Sequence, residues 1–147
     1  MNDRMLWYAS IAAGVVVLVD SIYLSYSKLT HQAVFCGTYG GCETVNSSPY
    51  SEIAGIPIAI LGVGAYLVLL GLLFLERRGG YWRVNGPILV FGLSLAGVLY
   101  SAYLTWIEIA VIHAICPYCV VSAVAITFLF IFTSLRLFRG QEQTNPI

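Results

Sequence analysis

The fold is decided by residues 53–75, IAGIPIAILGVGAYLVLLGLLFL, which contain no charged side chain. A helix that crosses a bilayer needs roughly 20 apolar residues, because the hydrocarbon core is about 30 Å thick. Three further stretches have the same character, at residues 5–27, 84–107 and 116–135, and among these only the first carries a charge, that of Asp20. The sequence therefore predicts four transmembrane helices.

The composition agrees with a protein that lies in lipid. Of the 147 residues, 59% are hydrophobic and 10% are charged, whereas about a quarter of the residues of a soluble domain are charged. The connections after the second and third stretches are short, which makes consecutive helices antiparallel neighbours. The prediction is an all-α membrane protein, an up-and-down bundle of four transmembrane helices that forms a single domain over residues 1–147.

The placement of basic residues predicts the orientation of this bundle. Lys28 lies on one side, and the six other basic residues lie on the opposite side: Arg4, Arg77, Arg78, Arg83, Arg136 and Arg139. Because loops rich in Lys and Arg stay in the cytoplasm, both termini are expected to be cytoplasmic. All four cysteines then face the extracytoplasmic side of the cell membrane, where disulfides form and persist.

The outer loop between the first two predicted helices, residues 29–52, is longer than a turn requires. Long loops in compact proteins tend to be lids or binding elements. Within it, Ser48 is a good N-cap residue and Pro49 suits the first position of a helix. We expect a short lid helix here, lying across the mouth of the bundle.

The four cysteines form two pairs. Cys116-Pro117-Tyr118-Cys119 is a C-x-x-C motif with Cys116 at the expected N-cap and Cys119 in the first turn of the last helix. Unpaired N–H groups and the helix dipole favour a thiolate there, and we expect it at Cys119. Cys36 and Cys42 lie in a glycine-containing loop. Exchange between two such pairs needs neither a metal nor a nucleotide, and neither is expected, although C-x-x-C also occurs in zinc sites and inert disulfides.

Three other polar residues are candidates for a role in the chemistry. An acid inside a transmembrane stretch, such as Asp20, is a functional candidate, but Asp20 is close enough to the outer surface to be solvated. Glu108 and His113 lie at the outer end of the third stretch. Either could accept a proton, and either could be an ordinary interfacial residue.

The order of these motifs resembles the vitamin K epoxide reductase family, in its bacterial or archaeal form. The resemblance rests on the loop pair of cysteines, then Ser48, then GIPIAILG at residues 55–62, then the C-x-x-C. It implies a four-helix bundle around a quinone, such as ubiquinone, menaquinone or a related compound. It also implies a lid that bears the serine and electrons supplied by a thioredoxin-fold partner.

Roles for single residues follow from the same resemblance. Cys36 would meet the partner, and Cys42 would pair transiently with Cys116. Cys119 would act on the quinone, with Ser48 near the quinone oxygen. The thioredoxin-like domain that is fused to many bacterial members is not seen here, so a separate, DsbA-like partner is expected. Ala123 stands where the animal enzymes have a tyrosine, so activity on vitamin K epoxide itself is not implied.

The predicted function is that of a membrane thiol:quinone oxidoreductase that supports disulfide bond formation. Its expected partners are membrane lipid, a quinone and the thioredoxin-fold protein, with no nucleic acid. One alternative is the other bacterial type of four-helix quinone-reducing thiol oxidase, but there the C-x-x-C is expected in the first outer loop. Another is a non-enzymatic scaffold with static disulfides or a four-sulfur zinc site.

Overall fold

The computed structural model describes the backbone of residues 2–32 and 41–144, and their side chains except those of residues 42–43 and 141–144. The α-helices of this part of the chain are α1 (Asp3–Leu29), α2 (Cys42–Asn46), α3 (Ile58–Leu75), α4 (Tyr81–Ile107) and α5 (Pro117–Thr144). The helices α1, α3, α4 and α5 are long and apolar enough to cross a membrane. The prediction of an all-α, four-helix membrane bundle is confirmed.

The four long helices pack side by side in the ring order α1, α3, α4, α5, so that each one contacts two neighbours. Their shared core consists of the buried side chains Trp7, Leu69, Leu70, Leu73, Val90, Ile126 and Leu129. The outer faces are apolar as well, with large exposed side chains such as Leu67, Phe74 and Leu99. Helices that are hydrophobic all round are typical of membrane spans.

The second spanning helix begins later than the sequence pattern predicts, at Ile58 rather than at residue 53. The residues before it form a small antiparallel hairpin of β1 (Glu52–Ile53) and β2 (Ile56–Pro57). Ala54 and Gly55 connect these strands with φ values of +52° and +82°. Two-residue hairpin loops need positive φ at both positions, so this turn ends the outer loop before the helix starts.

The other helix ends also differ from the predicted stretches. A π-helical turn, Glu108–Ile112, prolongs α4. It ends at His113, whose φ of +56° is left-handed, and the N–H of Ala114 then donates to the carbonyl of Glu108 at 3.1 Å. The last helix continues to Thr144 rather than stopping at residue 135.

A polar network closes the end of the bundle that lies opposite the C-x-x-C motif. Arg136 of α5 donates to Glu76 at 2.9 Å and to Asp3 at 3.1 Å. Trp7 is buried, donates through its indole N–H to a backbone carbonyl of α3 at 2.9 Å, and has the guanidinium of Arg77 at 3.8 Å from its ring centre. These contacts join α1, α3 and α5 at this end.

Loss of the Arg136 guanidinium should destabilise the bundle, because Glu76 would remain buried without its cation. Removing one partner of a buried ion pair typically costs about 3–5 kcal/mol, whereas replacing both by apolar side chains is often close to neutral. We expect Arg136→Met to lower the free energy of unfolding by about 3 kcal/mol. The double variant Glu76→Met/Arg136→Met should recover most of this loss.

Denaturant titration of the purified chain in detergent measures both effects. Arg78→Met, which removes the same charge from an exposed position, is the matched control and should change the stability little. Equal decreases in the free energy of unfolding of Arg136→Met and Arg78→Met would show that the buried pair stabilises the bundle no more than an exposed charge does.

Candidate active site

The C-x-x-C motif lies where α5 starts. Pro117 is the first helical residue, and the carbonyl of Cys116 accepts the N–H of Val120 at 3.2 Å, the first hydrogen bond of the helix. Cys116 therefore occupies the N-cap and Cys119 the first turn, as the sequence predicts. Both are free thiols in this structure.

The sulfur of Cys116 is enclosed by the protein. Its residue is 1% exposed and packs against Tyr23 and Leu24 of α1, Val45 of α2 and Cys119. The pKa of the Cys116 thiol is lowered, first by the hydrogen bond from the Cys119 thiol and then by the N–H groups of residues 118 and 119, while burial acts in the opposite direction. An N-cap side chain receives these two N–H groups, so Cys116 is the favoured thiolate of the reduced pair.

Glu108 lies directly against this pair of cysteines. Its carboxylate accepts the backbone N–H of Cys116 at 3.3 Å and forms a hydrogen bond with the thiol of Cys119. The π-helical turn places it there, and such turns are frequent at functional sites. Of the two candidates at this helix end, Glu108 is buried beside the sulfurs, whereas His113 is exposed and does not line the adjoining cavity.

A cavity of about 280 Å³ opens beside the cysteines, inside the same end of the bundle. Most of its wall is apolar, with aliphatic side chains such as Leu24, Leu61 and Leu104. The candidates from the sequence that line it are Cys116, Cys119, Ser48, Asp20 and Glu108. Residues far apart in sequence thus converge on one partly open, largely apolar space.

Among the polar lining residues that were not singled out from the sequence, Tyr66 and Ser122 contact each other. The hydroxyl of Tyr66 on α3 lies 3.1 Å from that of Ser122 on α5, and both side chains line the cavity. Tyr66 is the one side chain with a polar group in the stretch Ile58–Leu75, and Ser122 lies three residues after Cys119. A single polar side chain in an apolar helix and a serine one turn after Cys119 are the sequence features that could have identified Tyr66 and Ser122.

The lid, defined here as residues 42–51, covers the cavity through Val45, Asn46, Ser48 and Tyr50. It consists of α2 and a 3₁₀ turn, Pro49–Ser51, so the expected short helix is present as two pieces, one before and one after Ser48. Ser48 precedes Pro49 as predicted, but its hydroxyl does not cap the turn and instead donates to the carbonyl of Val45 at 2.7 Å. Cys36 and the side chain of Cys42 lie outside the described residues.

The start of the lid lies against the residue that precedes Cys116. Gly41 is buried, and a Cβ atom built on it would be 2.3 Å from the carbonyl oxygen of Ile115. Only glycine permits so close an approach of two backbones. The next residue along each segment is a cysteine, Cys42 in one case and Cys116 in the other.

Comparison with known proteins places this arrangement in a family. The model of the Vitamin K epoxide reductase family matches residues 8–134, which include all four cysteines and Ser48. The chain belongs to the vitamin K epoxide reductase family. Thiol-disulfide oxidoreductase LTO1 of Arabidopsis thaliana is 32% identical over 131 residues, which are 85% of this chain and 35% of that relative. The chain thus spans about a third of the relative's length.

In this member of the vitamin K epoxide reductase family, Lys28 fastens the lid to the outer end of α1. Its ammonium group donates to the carbonyl of Asn46 and, at 2.7 Å, to the hydroxyl of Ser51. It also pairs with Glu52 at 3.2 Å. Because Glu52 is partly exposed, the ion pair adds little, and the two hydrogen bonds from the charged group carry most of the stabilisation.

Replacing Lys28 by Met should loosen the lid without unfolding the bundle. Hydrogen bonds to charged groups contribute about 1.5–3 kcal/mol each, and every 1.4 kcal/mol corresponds to about a tenfold change in an equilibrium. We expect at least about tenfold faster hydrogen exchange at the amides of Val45, Ser48 and Ser51 in Lys28→Met. Lys28→Arg, which keeps the charge and donors, should stay near wild type, and equal exchange rates in all three proteins would rule out this fastening.

Proposed function

We propose that this chain is a membrane thiol:quinone oxidoreductase that supports disulfide bond formation in other proteins. The observation that carries the proposal is the position of a dithiol at the wall of a largely apolar cavity between the four long apolar helices. Ligand sites are typically apolar clefts with a few placed polar groups, and a quinone ring is such a ligand. Membership of the family and the oxidoreductase named as a relative support the same reaction class.

The proposed electron path runs through both cysteine pairs by thiol–disulfide exchange. A thioredoxin-fold partner reduces the disulfide of Cys36 and Cys42. The thiolate of Cys42 then attacks the disulfide of Cys116 and Cys119 at Cys116, and Cys36 resolves the mixed disulfide. The contact between Gly41 and Ile115 supports this step, because it brings the two chain segments that carry Cys42 and Cys116 together.

The two cysteines of the C-x-x-C would have different tasks. Cys119 and Ser48 both line the cavity, which supports their assignment to the quinone. Cys119 would add to the quinone ring through its sulfur. Cys116, which has the lowered pKa, would then attack the sulfur of Cys119 and break its bond to the ring, so that the disulfide forms again and quinol leaves with both electrons. Glu108, hydrogen-bonded to the thiol of Cys119, would accept the proton of that thiol.

The orientation and the partners belong to the same proposal. With both termini in the cytoplasm, the cavity end of the bundle faces the extracytoplasmic side of the cell membrane, where a DsbA-like partner would reach Cys36. The quinone would be ubiquinone, menaquinone or a related compound that enters from the lipid. Residues 1–147 would act as one membrane domain.

A zinc site and a scaffold with static disulfides are alternative functions for the cysteines. Within the part of the chain that the structure describes, no group of three or more His, Cys, Asp and Glu residues could hold a metal ion, and Cys36 lies outside that part. A scaffold would leave quinone unreduced. Quinone reduction by the purified chain therefore separates these functions.

The direct test supplies detergent-purified chain with a reduced thioredoxin-fold protein and a short-chain quinone. Wild type should form quinol, and Cys119→Ala should form none, because the sulfur that contacts the ring is lost. Cys116→Ala should also stop turnover but should leave Cys119 unpaired beside the quinone, with a new absorption band of the bound ring. Full quinone reduction in Cys119→Ala would exchange the two roles, and no quinol from wild type would refute the proposed function.

The relay between the pairs is tested by trapping. Cys42→Ala leaves Cys36 without an internal partner to resolve its mixed disulfide, so a partner-linked species that depends on Cys36 should accumulate on non-reducing gels. Partner oxidation that continues without such a species would refute the assignment.

Glycine variants give an independent test of the same contact. Gly41→Ala should slow exchange between the pairs at least about tenfold, because the added methyl group cannot fit against Ile115. Gly64→Ala adds the same methyl group where nothing lies within 4 Å and should exchange at the wild-type rate.

A further inference from the structure

Asp20 on α1 is a buried acid, and one of its two carboxyl oxygens has no hydrogen-bond partner among the described residues. The residue is 9% exposed, and its Oδ2 is one of three buried side-chain atoms without a hydrogen-bond partner among the described residues. The other two belong to Glu76 and Arg136, which bind each other through their remaining atoms. Asp20 has no such pairing: the ion pairs within the described part of the chain are made by Lys28 and Arg136 with other acids.

A lone acid here needs a reason, because burying an unpaired carboxylate or an unsatisfied carboxyl is costly. Asp20 lines the cavity. The side chains of Tyr66 and Tyr118 interact with it electrostatically, but neither is a cation that could pair with it. Asp20 therefore adds an acid without an ion-pair partner to the cavity wall, within reach of a polar atom of a ligand held there.

The position of Asp20 complements that of Glu108. In the ring order α1, α3, α4, α5, the helices α1 and α4 lie across the bundle from each other. Glu108, on the turn that prolongs α4, lies beside the cysteines, whereas Asp20 lines the cavity from α1. A para-quinone carries its two oxygens at opposite ends of the ring, and both oxygens gain a proton when it becomes a quinol.

We propose that Asp20 is a second catalytic acid of this site, which donates a proton to the quinone oxygen that lies away from Glu108. The inference rests on the proposed function and names the proton donor for its last step. An uncharged carboxyl is the form that such a position favours, since no cation of the described residues lies against it. In that form it can donate a hydrogen bond to a quinone oxygen, which is an acceptor and has no proton to donate.

The step balances in protons and electrons. The thiolate of Cys116 and the thiol of Cys119 form one S–S bond, the S–H bond of Cys119 breaks, and two electrons pass from the sulfurs to the ring. The proton of Cys119 reaches the nearer quinone oxygen through Glu108. The other oxygen takes the proton of Asp20, and Asp20 regains one from water at the outer surface, to which Cys116 released its own when it became a thiolate.

The test is a single-turnover experiment with the full chain in detergent, reduced beforehand and mixed with a short-chain ubiquinone. General acid catalysis contributes about 10²–10⁴-fold, so Asp20→Asn should slow quinol formation by about 100-fold or more. Exchange of thiols with the thioredoxin-fold partner should stay at the wild-type rate. In a Cys116→Ala background, Asp20→Asn should keep the absorption band of the bound quinone, because the ring and Cys119 are still in place.

Two further variants serve as controls, one at a distant acid and one that keeps an acid at position 20. Glu76→Gln alters a buried acid at the opposite end of the bundle and should form quinol at the wild-type rate. Asp20→Glu keeps a proton donor displaced by one methylene, and it should retain the band and form quinol faster than Asp20→Asn.

Each unfavourable result has its own meaning. Wild-type rates in Asp20→Asn would overturn the role of Asp20 while leaving the thiol:quinone reaction intact. Loss of the band together with the rate would show that Asp20 holds the quinone rather than protonates it. A wild-type chain that exchanges thiols but forms no quinol would overturn the proposed function and this inference together.

Discussion

A lipid bilayer offers no water for hydrogen bonding, so each polar group inside the four spanning helices must find a partner within the bundle or face an internal cavity. Most follow the first course. The buried hydroxyls of Ser10 and Thr133 donate to carbonyls one turn earlier, and Arg136 neutralises Glu76. Asp20 follows the second, and it does so at the one end of the bundle where the cysteines also lie. The lack of water in the bilayer thus favours helical structure, and it also favours placing the remaining polar side chains together at the cavity.

At the junction between α4 and α5, the same constraint brings an acid into contact with the two cysteines. The π-helical turn carries the carboxylate of Glu108 back beneath the start of α5, where it accepts the N–H of Cys116. That N–H would otherwise be an unpaired donor at a helix start. The interaction thus stabilises the helix end and brings an acid to the thiol of Cys119. The side chain of Glu108 therefore both stabilises the start of α5 and contacts a thiol.

The features that could be predicted from the sequence are those set by local chemistry. The number of spans follows from the apolar runs, and the N-cap position of Cys116 follows from Pro117, so both agree with the structure. The start of α3 could not be predicted, because the apolar run at residue 53 hides a hairpin that Gly55 makes possible. The burial of Asp20 depends on α3 and α5, which are distant in sequence, so the sequence alone could not distinguish a buried acid from a solvated one.

The hydroxyl of Ser48 can leave its hydrogen-bond partner without leaving that partner unpaired. A serine hydroxyl has a single proton, and here it is donated to the carbonyl of Val45. A quinone oxygen only accepts hydrogen bonds, so in the proposed complex Ser48 would have to turn its hydroxyl away from Val45. That carbonyl also accepts the backbone N–H of Ser48 at 3.2 Å, and it therefore stays satisfied when the hydroxyl leaves. Because Lys28 holds the lid through the neighbouring Asn46 and Ser51, the hydroxyl can rotate while the backbone of the lid stays in place.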